Sequence, residues 1–482
     1  MVGSALEDIG LVSQDFQDVS FCWVWHTCNA VAHREIEDKQ DMADHPLTPP
    51  SVSSNQPHDQ MVQDIIVDIE AILHESEGNL WSTESSSCCC IYRVPQALHQ
   101  QNREAYTPKI VSIGPFHYGN PRLQNMETHK HIFFKRFAER VKETLTLEEL
   151  VRFVEKSEPR VRACYSEKNI KLSKKELVKV MLMDGSFIIE LFYGFGSLNF
   201  DPNLKKPWLM NTIIIDLILL ENQLPFFFLD ELFNLSFPSY VPSFTKLTFN
   251  FFTYFNRQNL EPNPNINVAI KHFTDLLRTF HLQSFGKPHR QWFVLPGNHV
   301  LLYSARKLHE AGVKLKANIN ENCLLNLKFS KGVFEIPQVM VEDNTETMFR
   351  NMIAFEQCHY PYESYITDYA LLLDCLIDTS EDVDVLVHKG IICNCLADSN
   401  DVAKLFNGLW KNVTQMNFNS DYFEICKKLN GFCSDPWNGK KATLRRDYCK
   451  TPWQIAASIA GILLLLLTLV QTICSVIQVA QA

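Results

Sequence analysis

Three groups of residues have side chains suited to chemistry. Asp184 stands inside an apolar run as Met183-Asp184-Gly185-Ser186-Phe187, while Asp216, Glu221, Asn222 and Gln223 surround the next apolar run. Two carboxylates whose pKa values are pushed apart make an acid and a base. No spacing in the chain sets Asp184 beside Asp216 or Glu221, so Asp184, Asp216, Glu221 and Asn222 are read as a buried polar network that fixes helix register. Cys358-His359 offers a thiol beside a base, but sequence neighbours rarely have nucleophile–base geometry. Glu127, His129, Lys130 and His131 fall within about one helical turn, with Glu127 and His131 able to share a face. A zinc site needs a third or fourth ligand, and there is no HExxH motif. An exposed, charged helix face is preferred there. No catalytic residue, metal site or cofactor is assigned.

Arg93, Tyr106 and His117 sit among prolines and glycines. Read for function, Arg93, Tyr106, His117 and Glu127 are candidates for a recognition surface. Read for packing, Pro95, Pro108 and Pro115 fix the entry and exit of buried segments, and this reading is preferred. Gly194-Phe195-Gly196-Ser197 is too short for a dinucleotide fingerprint, and the chain has no GxxxxGK[ST], GxSxG or kinase motif set. Paired CxxC zinc signatures are also absent. Fifteen cysteines in 482 residues are too dilute for a small disulfide scaffold.

The elements that must position these groups are mostly helical. Met61–Leu73 is amphipathic. Lys109–Ile113 reads as a short strand closed by Gly114-Pro115. Leu123–Leu150 reads as one long helix, followed by helices over Glu148–Val161, Lys174–Phe192 and Trp208–Asn222. Ser173 and Glu176 form a capping box, and Pro225 ends the last of these helices. Residues 236–300 are irregular, with one helix near Val268–Phe280. Ser304–Gly312 is a helix stopped by its glycine. The period then changes: Leu324–Phe329 and Val333–Ile336 alternate around Ser330-Lys331-Gly332, a β-hairpin that Val339–Val341 extends. Thr345–Glu356, Tyr365–Ile377 and Asp401–Trp410 are helical again. The fold class is mainly α with a small β-hairpin.

The two ends differ from the body. Residues 1–87 hold sixteen Asp or Glu against two basic residues, Arg34 and Lys39, so this segment carries −14 and the remainder +4, for a net charge of −10. The division is an acidic, disordered extension over 1–60, a helical domain over 61–449 and a transmembrane helix over 453–475. The acidity argues against nucleic-acid binding by the whole chain. The N-terminus has neither the basic nor the apolar region of a secretory signal. From Trp453 to Ala482 there is no Asp, Glu, Lys or Arg. About 20 apolar residues span a bilayer core, so Trp453, Leu463 and Leu467 belong to a membrane anchor, with Trp453 at the interface. Lys440, Lys441, Arg445, Arg446 and Lys450 precede the span and no basic residue follows it. The positive-inside rule then places the body in the cytosol, at the plasma membrane or an endomembrane. The partners are the lipid bilayer and a protein whose identity is not legible in the residues.

Several motifs stand in a familiar order: Ile91-Tyr92-Arg93-Val94-Pro95, Tyr106–His117, Met126-Glu127-Thr128-His129-Lys130, Met183–Phe187, Asp216–Pro225 and Gly332-Val333-Phe334-Glu335-Ile336-Pro337. On these the chain resembles the plant domain-of-unknown-function 247 family, also called uncharacterised protein family 0481, from roughly Ile91 to the C-terminal span. The resemblance implies a land-plant, single-pass membrane protein without an established enzyme activity. It also implies recognition or signalling, since some members look like determinants of self-incompatibility. The acidic extension and the triple cysteine Cys88-Cys89-Cys90 depart from the pattern. The function expected is membrane-anchored recognition through protein–protein contact. The rivals are a membrane-bound enzyme and an extracellular receptor-like protein, for which Asn234-Leu235-Ser236 and Asn412-Val413-Thr414 would be glycosylation sites.

Overall fold

The computed structural model describes residues 88–167, 170–195, 204–239, 242–262, 270–282, 302–414, 418–448 and 452–481. The acidic extension, the helix expected at Met61–Leu73, Cys449 and Lys450 lie outside the described residues.

Helices come first in the described chain: α1 (Gln96–His99), α2 (Gln124–Val141), α3 (Leu147–Ala163), α4 (Lys174–Gly194), α5 (Pro207–Leu217), α6 (Phe226–Ser236), α7 (Phe244–Phe251), α8 (Phe273–Leu282) and α9 (Ala305–Glu310). Strands β1 (Lys314–Asn318), β2 (Lys328–Ser330), β3 (Val333–Pro337) and β4 (Val339–Val341) follow. Then come α10 (Thr345–His359), α11 (Tyr365–Leu376), α12 (Ser380–His388), β5 (Ile392–Asn394), α13 (Ser399–Leu409), α14 (Ser420–Ser434), α15 (Pro436–Tyr448) and α16 (Pro452–Gln481). The chain is mainly α with small sheets.

Capping chemistry sets several boundaries. The Ser173–Glu176 capping box opens α4 as its spacing predicts. A second box, Thr146 with Glu149, breaks the single helix expected over Leu123–Leu150 into α2 and α3. Its glutamate satisfies the Thr146 N–H, so the chain restarts there rather than continuing.

The hairpin forms where expected, but only Lys328–Ser330 of its first arm is strand. Lys331 and Gly332 both take positive φ in the turn, as a tight two-residue hairpin requires. Two features depart from the expectation. β3 also pairs in parallel with β1, giving the order β1-β3-β2. Val339–Val341 does not extend the hairpin: it pairs in parallel with β5 in a separate sheet.

The core is rich in phenylalanine. Phe192 of α4 stacks on Phe251 at 4.2 Å and also meets Phe244, Phe252 and Phe273. Gly185 lets α6 approach α4: a Cβ there would lie 2.9 Å from Leu232 Cδ2 and 3.2 Å from Phe228 Cε1. The last helix stands apart. Pro452–Ala480 has a mean hydropathy of 2.4, and 0% of its apolar window is buried. Among the described residues it is the one helix long and apolar enough to cross a membrane.

Candidate functional site

The chain from Lys109 to Gly114 bends at Lys109, Ile110 and Gly114 and pairs with no strand among the described residues. Its backbone donors go to side chains instead. Asp216, at the end of α5, accepts Lys109 N–H at Oδ1 (2.9 Å) and both Ile110 N–H (2.7 Å) and Val111 N–H (2.9 Å) at Oδ2. Asn222 Oδ1 accepts Ile113 N–H at 2.7 Å, while its Nδ2 donates to the Val111 and Asp216 carbonyls. Asp184 Oδ2, from α4, accepts Gly114 N–H at 2.8 Å. The strand expected at Lys109–Ile113 is therefore absent because carboxylates and an amide take the donors that a neighbouring strand would have used.

Lys130 completes this clamp. Its side chain is fully buried, with Nζ 2.6 Å from Asp184 Oδ1 and 2.7 Å from Glu127 Oε1, and it also donates to the Ser112 carbonyl. The exposed charged face read around Lys130 is corrected here. Met126, Lys130, Phe133 and Phe137 share the inner face of α2, and that helical spacing was the signal that could have found it. Burial alone would lower the Lys130 pKa, but Asp184 and Glu127 raise it. Burial pushes the Asp184 carboxyl up to about 6, with Lys130 pulling the other way. Burial likewise pushes Asp216 up to about 6 against its three N–H donors.

Gln223 and Glu221 extend the arrangement. Gln223 Nε2 donates to the Leu217 and Leu219 carbonyls at 2.7 Å, and its Oε1 accepts Phe273 N–H at 2.9 Å. These bonds terminate α5 at Leu217, well before Pro225, so the expected helix over Trp208–Asn222 is shortened. Pro225 instead precedes the first residue of α6. Glu221 Oε1 accepts Val94 N–H at 2.8 Å, and its Oε2 pairs with Arg93 Nη1 at 2.9 Å and lies 3.4 Å from His117 Nε2. Burial raises Glu221, but His117, Val94 N–H and Arg93 outweigh it and hold the carboxyl below its usual range.

The recognition candidates are thus divided. Arg93 is part-exposed: it bonds Glu167 and the Phe116 carbonyl and lies 4.2 Å over the Phe116 ring. His117 adjoins it through Glu221. Tyr106 is only 1% exposed and stacks on His99, so a surface containing it is corrected to core packing. Glu127 is committed to Lys130.

The enzyme candidates do not assemble. Asp184, Asp216 and Glu221 hold different backbone segments rather than one another. Burial pushes the Cys358 thiol up to about 12, whereas a nucleophilic thiol needs a lowered pKa. Burial also takes His359 down to about 4, and its Nδ1 meets Tyr92 Oη at 2.9 Å.

A second buried network was missed by sequence reasoning. Arg278 Nε pairs with Glu356 at 2.9 Å, and Glu356 also accepts Ile366 N–H, Thr367 N–H and the Thr367 hydroxyl. It ties α8, α10 and the start of α11 together. No local motif announces it, because its members are far apart in sequence.

Among the described residues no group of His, Cys, Asp and Glu is placed to hold a metal. An open groove of about 960 Å³ lies between α5 and the segment after β4, with Lys109 and Lys205 among its cations and Glu342 and Asp343 among its anions.

A helical body braced by buried side-chain-to-backbone clamps, followed by one uncovered apolar helix, defines the class of this chain. It belongs to the DUF247 family, described as plant protein of unknown function, whose model matches residues 91–467. It is similar to a UPF0481 protein of Arabidopsis thaliana, 31% identical over 423 residues that cover 83% of this chain and 88% of the relative. A second UPF0481 protein of the same plant is 24% identical over 476 residues, covering 79% and 89%. No solved structure matches the chain.

Proposed function

We propose that this is a membrane-anchored recognition protein that acts by protein–protein contact, with its body on the cytosolic side of the plasma membrane or an endomembrane. The observation that carries the reading is the helix Pro452–Ala480, apolar throughout and uncovered by the body. The basic residues on its N-terminal side support the orientation. The anchor holds the body near partners in the same membrane and raises their effective concentration. The spent carboxylates and the protonated Cys358 thiol favour binding over catalysis.

Protease protection of an N-terminally tagged full chain in intact microsomes tests the reading. Digestion of tag and body is expected. Protection, with glycans at the exposed Asn234 and Asn412, would place the body in the lumen and overturn the orientation. Cys90 and Cys164, joined through their backbones by the Cys90 N–H to Cys164 carbonyl bond at 2.9 Å, would then be free to pair as a disulfide, a second readout of the same question.

A further inference from the structure

The geometry points to α15 as an interfacial helix that lies on anionic lipid of the bilayer crossed by α16. The inference rests on the anchor reading and adds to it a lipid class and a contact face. Trp437, Leu444 and Tyr448 are 77%, 58% and 55% exposed. At about 100° per residue, offsets of seven and eleven bring all three within roughly 40° of one another. They form a single apolar stripe along α15.

Cations flank the stripe. Lys440 and Lys441 are exposed on either side of it, and Lys440 Nζ lies 5.6 Å from the Trp437 ring centroid. Pro436–Tyr448 contains Lys440, Lys441, Arg445 and Arg446 against a single acid, Asp447. A flank of α15 is held to the preceding helix: Asn438, about 100° round from Trp437, donates from Nδ2 to the Phe432 carbonyl at 3.1 Å. An apolar stripe bordered by lysines is the pattern of a helix that lies in the headgroup region, with aromatic rings at the acyl boundary and ammonium groups reaching anionic headgroups.

Continuity with the span fixes the occupant. Three residues separate Tyr448 from Pro452, so extended chain keeps the end of α15 within about 15 Å of the anchor's first residue. Trp453, 84% exposed, stands at that point. A bilayer crossed by α16 is therefore within reach of the stripe, and its charge complement is an anionic leaflet. Docked this way, α15 sets the orientation of the body on the membrane instead of leaving it to a tether.

The test is amide hydrogen exchange of the full chain in lipid nanodiscs, made of phosphatidylcholine alone or with phosphatidylserine. Exchange over 436–448 is expected to slow at least about tenfold in the anionic discs, since each basic residue at the surface contributes roughly fivefold. Lys440→Glu with Lys441→Glu should return it to the neutral-disc rate, and Trp437→Ala should weaken protection in both discs. Equal exchange in neutral and anionic discs, with the chain incorporated in both, overturns the inference while leaving the anchor intact. A chain that enters neither disc overturns the anchor reading, and the inference falls with it.

Discussion

Replacing Lys130 by Met should destabilise the protein in a pH-dependent way, and the size follows from the site. Met is nearly as long and wholly apolar, so packing changes little. Lost are the bonds to Ser112 and Glu127 and the counterion 2.6 Å from Asp184. Glu127 is part-exposed and turns to water. The Ser112 carbonyl and the Lys130 pairings together account for about 1–3 kcal/mol that does not vary with pH. Asp184 is enclosed and keeps only Gly114 N–H among its polar partners here, so it takes a proton. A carboxyl whose folded pKa exceeds its unfolded value contributes stability at acid pH that is lost as pH rises through the folded pKa. With Lys130 present, that loss sets in near the unfolded value of about 3.9 and is complete once pH passes about 6. Without Lys130 the folded pKa climbs further, and the variant binds a proton that the native protein has released. The penalty therefore grows by about 1.4 kcal/mol per pH unit above 6. It should be about 1–3 kcal/mol at pH 6 and roughly 4–6 kcal/mol at pH 8. Guanidinium unfolding of the full chain in detergent, followed by far-UV circular dichroism at both pH values, measures this. Adding Asp184→Asn should remove the pH dependence. A penalty equal at pH 6 and pH 8, or unchanged in the double variant, would refute the assignment of Lys130 as the counterion of Asp184.

Asp216→Ala orphans three backbone donors and should cost at least about 3 kcal/mol, whereas Asp216→Asn keeps one accepting oxygen and should cost about 1–3 kcal/mol; the ordering of unfolding midpoints checks it. Gly114 has φ +71°, and a Cβ there would lie 2.5 Å from the Gln223 carbonyl oxygen, so Gly114→Ala should cost roughly 3–5 kcal/mol or prevent folding, seen as loss of soluble, protease-resistant body. Burial takes His272 down to about 3. A base lowered in this way gives stability that is present above its unfolded pKa of about 6.5 and lost below it, so His272→Gln should lose about 2 kcal/mol less than the native chain between pH 7 and pH 5. Arg93 makes three separate bonds and stacks on Phe116; Arg93→Lys supplies one point charge and should cost about 1–2 kcal/mol in a thermal melt, while unchanged stability with altered partner capture would return Arg93 to a recognition role.

Periodic helices and the hairpin were legible because each repeats a local rule. Ser173 and Glu176 announce α4 within four residues, and Lys331-Gly332 announces a turn within two. Misreadings arose where a distant partner decided the outcome. Val111 and Ile113 look like strand until Asp216 and Asn222, about a hundred residues on, take their N–H groups. Val339–Val341 needed β5, and β1 needed β3, for parallel pairing that leaves no turn signal. Lys130 looked solvated because charge alone was weighed. Its place between Met126 and Phe133 on one helical face put it inside. Asp184, Asp216, Glu221 and Asn222 could be grouped from sequence as polar residues at apolar helices, but their acceptor roles required the threaded segment 109–114.

The clamp also changes what the family resemblance carries. The motifs around Arg93 and Ile113 are bound by the motifs around Asp184 and Asp216, with Lys130 between them. Each of these motifs is another's hydrogen-bond or ion-pair partner across the body. Such residues specify a scaffold: altering one orphans a buried donor or charge elsewhere, whatever the protein binds. Membership based on these motifs therefore transfers architecture to this chain more securely than it transfers a partner. Specificity has to be carried by side chains the clamp leaves outside, and those are separable from it by experiment. A substitution in the clamp should lower stability and binding together. One on the α15 stripe should change membrane contact with the unfolding midpoint of the body unmoved, because Trp437 and Lys441 contribute nothing to the buried network.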